Sequence, residues 1–101
     1  MRLSMIAVVA MAAAMTAGAA RAQSPGPTGQ AMVQNCYVCH GPGGKTDGAI
    51  APLAGLPRDH VVRTLTEFKT DRRPGTIMNR IAKSYSDEQI ALIADFIATL
   101  K

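Results

Sequence analysis

The sequence has no tryptophan and only four aromatic residues, Tyr37, Phe68, Tyr85 and Phe96, in a chain of 101 residues. It has two cysteines, Cys36 and Cys39, three positions apart. Each shortage excludes something. A chain this small with so few bulky side chains has little with which to build a core, and such domains usually carry a staple or a prosthetic group. A disulfide between Cys36 and Cys39 closes too short a loop to remove much entropy from the unfolded chain. A large apolar cofactor would fill the core far better. No tract rich in lysine or arginine with interleaved aromatics occurs, which argues against nucleic-acid binding. No segment alternates like a β-strand, and there is no internal repeat.

Long apolar runs are confined to the start. Met1-Arg2-Leu3-Ser4 is a short, singly positive lead into an uncharged stretch of Ala, Val and Met, and Ala20-Arg21-Ala22 supplies the small-x-small pattern of a signal-peptidase site. Residues 1–22 therefore read as a cleaved secretory signal, with Gln23 as the new N-terminus and the periplasm as destination. A retained anchor is the rival. The uncharged run from Leu3 to Ala20 is 18 residues and rich in alanine, whereas a spanning helix wants about 20 strongly apolar residues. Cleavage leaves 79 residues and removes Arg2 and Arg21, so nine basic side chains face seven acidic ones. The formal net charge of +4 thus falls to +2 in the mature chain.

Residues 23–27, Gln-Ser-Pro-Gly-Pro, read as a flexible leader. The remainder, 28–101, forms one domain. Thr28 caps a first helix running to about Cys39, with Gly29, Met32, Val33 and Cys36 on one face. From Gly41 to Pro57 the chain is rich in Gly, Pro and Ala, a long loop of the kind that is usually functional. A second helix starts near Pro57, carries Val61, Val62, Leu65 and Phe68 on its apolar face, and is expected to stop at Pro74-Gly75. A short piece follows from Ile77 to Lys83. Ser86 opens a last helix with Gln89 as its capping-box partner, and Ile90, Leu92, Ile93, Phe96, Ile97 and Leu100 make its apolar face. Asp87 and Glu88 suit the positive end of its dipole and Lys101 the negative end. The mature protein is expected to be all-α.

The chemistry lies in Cys36-Tyr37-Val38-Cys39-His40, a Cys-x-x-Cys-His run with the spacing of c-type haem attachment. Two thiols on one helical turn reach the two vinyl groups along one edge of a porphyrin, and the next residue projects its imidazole toward the iron. Zinc would want four ligands, and three are present unless His60 joins. A thioredoxin-like dithiol belongs near a βαβ pattern, which is missing. A plain disulfide leaves His40 without a purpose. An exported, non-haem dithiol redox protein stays as the alternative from another class.

A ligating histidine needs an acceptor for its other ring N–H. Ala51, held extended by Pro52, is the candidate, through its backbone carbonyl. For the sixth iron ligand only Met32 and Met78 survive signal removal. Met32 lies one turn before Cys36, on chain committed to one face of the ring. Met78 is 38 residues beyond His40, where the chain can return over the other face. His60 is the rival ligand, but its polar neighbours suit a solvated side chain. His/Met ligation raises the haem potential and fills the iron, which suits electron transfer rather than bond chemistry.

These features resemble class I cytochromes c over essentially the whole mature chain. The residues that carry the likeness are Gly29, Cys36 to Gly41, Leu53 and Gly55, Met78 with Ala82, and Ser86 to Ile90 leading into Phe96. The resemblance implies N- and C-terminal helices crossing at Gly29 and Phe96 around one covalently bound haem. A narrower likeness runs through Leu53-Ala54-Gly55-Leu56-Pro57, Phe68-Lys69, Arg73-Pro74, Met78 to Lys83 and Tyr85-Ser86-Asp87. It resembles the cytochrome subunits of flavocytochrome c sulfide dehydrogenases. That implies an FAD-bearing partner subunit whose flavin electrons this chain accepts, with no catalysis by this chain alone. A freely diffusing carrier between respiratory complexes is the alternative. The family usually has Pro where this chain has Ala51, although a carbonyl is still available there. Lys69, Arg72, Arg73, Arg80 and Lys83 cluster around Met78 with Asp71 opposing, a face that could steer acidic partners.

Overall fold

The computed structural model describes residues 26–101; the expected signal at 1–22 and most of the leader at 23–27 lie outside the described residues. Four α-helices follow in order: α1 (Gly29–His40), α2 (Arg58–Lys69), α3 (Met78–Lys83) and α4 (Asp87–Ile97), with a 3-10 turn at Pro42–Gly44 inside the first long loop. No strand occurs among the described residues. The fold is all-α, as expected.

Helix α1 begins where the sequence places it. The Thr28 hydroxyl accepts the Ala31 N–H at 3.1 Å, filling one of the vacant positions of a helix start. Gly29, Met32 and Val33 are buried and Cys36 is half-buried. The crossing with α4 explains the glycine. A Cβ on Gly29 would stand 2.2 Å from the Leu92 carbonyl oxygen and 3.3 Å from the Phe96 Cβ, so only hydrogen lets the two backbones meet.

Helix α4 carries the full capping box: Ser86 Oγ accepts the Gln89 N–H at 3.1 Å while Gln89 Oε1 accepts the Ser86 N–H at 2.9 Å. Its buried face is Ile90, Ile93, Ala94 and Ile97. Leu92 departs from the expected face: it is 45% exposed, because Gly29 packs on its carbonyl and not on its side chain. Lys101 lies four residues past the helix end, and no basic residue occupies the last turn. The core joins Met32, Val33, Val61, Ile93, Ala94 and Ile97, with Tyr37, Leu53, Leu56, Leu65, Tyr85 and Phe96 packed around it.

Helix α2 ends earlier than Pro74-Gly75 would impose. It stops at Lys69, Thr70 turns its hydroxyl onto the Thr66 carbonyl at 2.8 Å, and Asp71 takes a left-handed conformation at φ 58°. The Arg72 N–H then folds back to the Glu67 carbonyl at 2.8 Å, a closure that satisfies helix-end carbonyls before the proline is reached. Pro57 is the N-cap in extended conformation, one position before the helix.

Candidate haem site

Helix α1 delivers its last turn to the wall of a cavity of about 780 Å³, within the range of roughly 300–1,000 Å³ usual for small-molecule and cofactor sites. Cys36, Cys39 and His40 line one side. Val61, Leu65 and Phe68 from α2, Met78 and Ile81 from α3, and Ile93 and Ile97 from α4 line the rest. The volume is therefore enclosed by the same aliphatic residues that make the small core. Met78 lines it, whereas Met32 is 4% exposed inside the core and does not. His60 is exposed and also stands on the cavity wall.

His40 closes α1 and Gly41 breaks the chain out of it. Gly41 sits at φ 88°, with its N–H on the Tyr37 carbonyl at 3.0 Å, and a Cβ there would lie 1.9 Å from the Lys45 carbonyl oxygen. The loop then wraps back. The Gly44 carbonyl accepts the N–H groups of Leu53 at 2.8 Å and Ala54 at 3.0 Å. This brings the Ala51 carbonyl to 2.6 Å from His40 Nδ1. The imidazole therefore carries its proton at Nδ1 and presents Nε2 for a metal. A backbone carbonyl serves as orienter, and Ala51 supplies it.

The thiols fit attachment better than redox exchange. Cys36 and Cys39 are both free, and burial pushes the Cys36 thiol above its ordinary value. Exchange chemistry runs through a thiolate of lowered pKa, so this shift opposes the dithiol reading. No group of three or more His, Cys, Asp and Glu side chains placed to hold a metal ion occurs among the described residues.

One wall residue was not signalled by the sequence. Thr64 lies one turn beyond His60 on α2, and its hydroxyl is buried without a hydrogen-bond partner. An orphaned hydroxyl on the wall of an apolar cavity is costly unless an occupant accepts from it. A porphyrin brings carboxylate substituents that can accept such a bond, so the donor set and the cavity fit haem.

The basic cluster is more neutralised than its sequence suggests. Lys69 pairs with Asp87 at 3.1 Å, Arg73 with Glu67 at 2.8 Å, and Lys83 with Asp71. Arg72 and Arg80 have no ion pair among the described residues. Asp87 lies 18 positions from the lysine it meets and Glu67 six from its arginine, and the fold adds both to Asp71 as opponents.

Residues 27–101 match the model of the family described as Cytochrome c. The chain belongs to the cytochrome c family. Family membership carries a covalently bound c-type haem and a role in electron transfer. The chain is 33% identical over 72 residues to the cytochrome subunit of sulfide dehydrogenase from Chlorobaculum tepidum, covering 71% of this chain and 66% of that protein. It is 31% identical over 72 residues to a thiosulfate dehydrogenase electron acceptor from Stutzerimonas stutzeri, covering 67% and 33%. It is also 34% identical over 67 residues to cytochrome c-553 from Desulfomicrobium norvegicum, covering 63% and 84%. The chain thus spans just under two thirds of the first of these relatives and a third of the second. Among the described residues, no helix of this cytochrome is long and apolar enough to cross a membrane.

Proposed function

We propose that this cytochrome holds a single haem through thioethers at Cys36 and Cys39, with His40 and Met78 as axial ligands. In this reading it works in the periplasm, as residues 28–101 after loss of the signal at 1–22, and accepts electrons from an FAD-containing sulfide dehydrogenase subunit. The observation that carries the reading is the shared cavity: both thiols and His40 on one wall, Met78 on another, and His40 Nδ1 2.6 Å from the Ala51 carbonyl. When bound, haem supplies a one-electron iron couple. The residues do the rest. Cys36 and Cys39 fix the group's orientation, Ala51 holds the imidazole tautomer, and Met78 closes the iron against exogenous ligands. Val61, Leu65, Ile81, Ile93 and Ile97 exclude water from the apolar faces, which favours the reduced, less charged state.

The likeness to a sulfide dehydrogenase cytochrome subunit supports the partner. The likeness to a thiosulfate dehydrogenase electron acceptor and to cytochrome c-553 favours a second reading, a freely diffusing carrier. Native co-purification separates them. The subunit reading expects a flavoprotein to travel with the chain and sulfide to reduce the loaded cytochrome in its presence; a monomer that sulfide leaves oxidised under those conditions ends it. For the ligand, Met78→Ala is expected to lower the reduction potential by on the order of 100 mV or more while covalent haem remains. An unchanged potential would transfer the role, with His60 next in line.

A further inference from the structure

The residue after Met78 has no part in any of this, yet its side chain reaches further than its neighbours. Asn79 Nδ2 donates to the Arg73 carbonyl at 2.8 Å and to the Phe68 carbonyl at 3.2 Å, and lies 3.4 Å from Asp71 Oδ1. An amide nitrogen has two hydrogens to give, and here both are spent on backbone: the end of α2 and the turn that leads to Met78. The bond to the Phe68 carbonyl is part-buried, so water does not freely re-satisfy that carbonyl, whereas the bond to the Arg73 carbonyl is exposed.

The segment it holds is weak by its own means. Helix α3 has six residues, and its N-cap Ile77 makes no side-chain capping bond and is 55% exposed. A helix so short has no stability alone. Ahead of it, Gly75 touches the same clamp: a Cβ there would meet the Phe68 ring at 2.9 Å and Asn79 Oδ1 at 3.0 Å. The other tether, Lys83 to Asp71, has both side chains about half exposed or more and contributes little.

We propose that the Asn79 amide is the clamp that positions Met78, and so sets how firmly its sulfur holds the iron against competing ligands. This rests on the reading of Met78 as axial ligand. Asn79 is a positioning residue: it acts through the backbone ahead of Pro74, at Phe68 and Arg73, and touches nothing that reacts.

The test is imidazole binding to the ferric, haem-loaded protein, read together with the weak red absorption band of thioether-ligated ferric haem. Asn79→Ala is expected to raise imidazole affinity about tenfold, the worth of one to two such bonds, and to weaken the band. Asn79→Asp, equal in size but facing both carbonyls with oxygen, is expected to do at least as much and serves if the alanine variant fails to load. Ser86→Ala, which weakens the fold through the α4 cap, is expected to leave imidazole affinity within about twofold. If both Asn79 variants bind imidazole as the parent does while Met78→Ala binds it far more tightly, the clamp is wrong and the ligand stands. If Ser86→Ala raises affinity as much as Asn79→Ala, general loosening explains the effect and the clamp is again wrong. If Met78→Ala itself binds imidazole no more tightly than the parent, the ligand reading falls and takes the clamp with it.

Discussion

The two walls of the cavity that carry the proposed iron ligands are built in opposite ways. The His40 wall stands on α1, a 12-residue helix capped by Thr28 and pressed onto α4 at Gly29. Its ring is already oriented by Ala51. The Met78 wall stands on a six-residue helix without a side-chain cap, packed on α2 with Ala82 buried and tied besides by one amide and an exposed ion pair. Packing on α4 fixes the first; the second also packs, on α2 with Ala82 fully buried, but the turn that leads into it is held by a few polar contacts. Apolar burial is cooperative and spread over many atoms, whereas two or three hydrogen bonds can be lost singly. One half of the site is therefore a fixed reference, and the other is the place where ligand strength can be tuned without unmaking the fold.

The most severe way to break this contrast is at the helix crossing. Gly29→Ala sets a methyl 2.2 Å from a backbone oxygen that has no freedom to retreat, and is expected to destabilise the loaded protein by about 2–3 kcal/mol in chemical denaturation. A loss below about 0.5 kcal/mol would mean the crossing is looser than its geometry, since alanine's better helix propensity alone favours the variant. Next comes Thr64, whose buried hydroxyl faces the cavity unpaired. If an occupant accepts from it, Thr64→Val costs the loaded protein roughly 1–1.5 kcal/mol; a stability gain would show that the hydroxyl serves nothing there. Ser86→Ala removes one half of the capping box and is expected to cost about 1 kcal/mol. The smallest effect belongs to the Met78 wall. Lys83→Ala breaks an exposed pair and is expected to change stability by under about 0.5 kcal/mol. A larger loss would make that wall more like its opposite.

What the sequence disclosed, and what it withheld, follows the range of the interactions. The Ser86–Gln89 capping box, the Thr28 cap and the Cys36-to-His40 run are short-range patterns, legible because all partners sit within a few residues. The Ala51 carbonyl was also within reach, since Pro52 restricts the residue before it. The end of α2 was not. Proline constrains only its own surroundings, while the chain had already closed on itself at Asp71, a non-glycine residue in a left-handed conformation that no composition announces. Likewise Lys69 finds Asp87, 18 positions away, and Asn79 finds Phe68, 11 positions away. Nothing local marks Thr64 either: its position between His60 and Phe68 on one face suits core packing equally well.

The Ala51 contact has a consequence for how this protein can vary. The acceptor for His40 belongs to the main chain, so it is present whatever side chain position 51 carries. Exchange of that residue, even for proline, rewrites the codon and leaves the acceptor in place. Loss of the contact requires rerouting the loop itself, through Gly41, whose φ of 88° few residues tolerate, or through Gly44, whose carbonyl gathers Leu53 and Ala54. The histidine's orientation is thereby shielded from drift at the position that supplies its acceptor and exposed at two glycines that supply none.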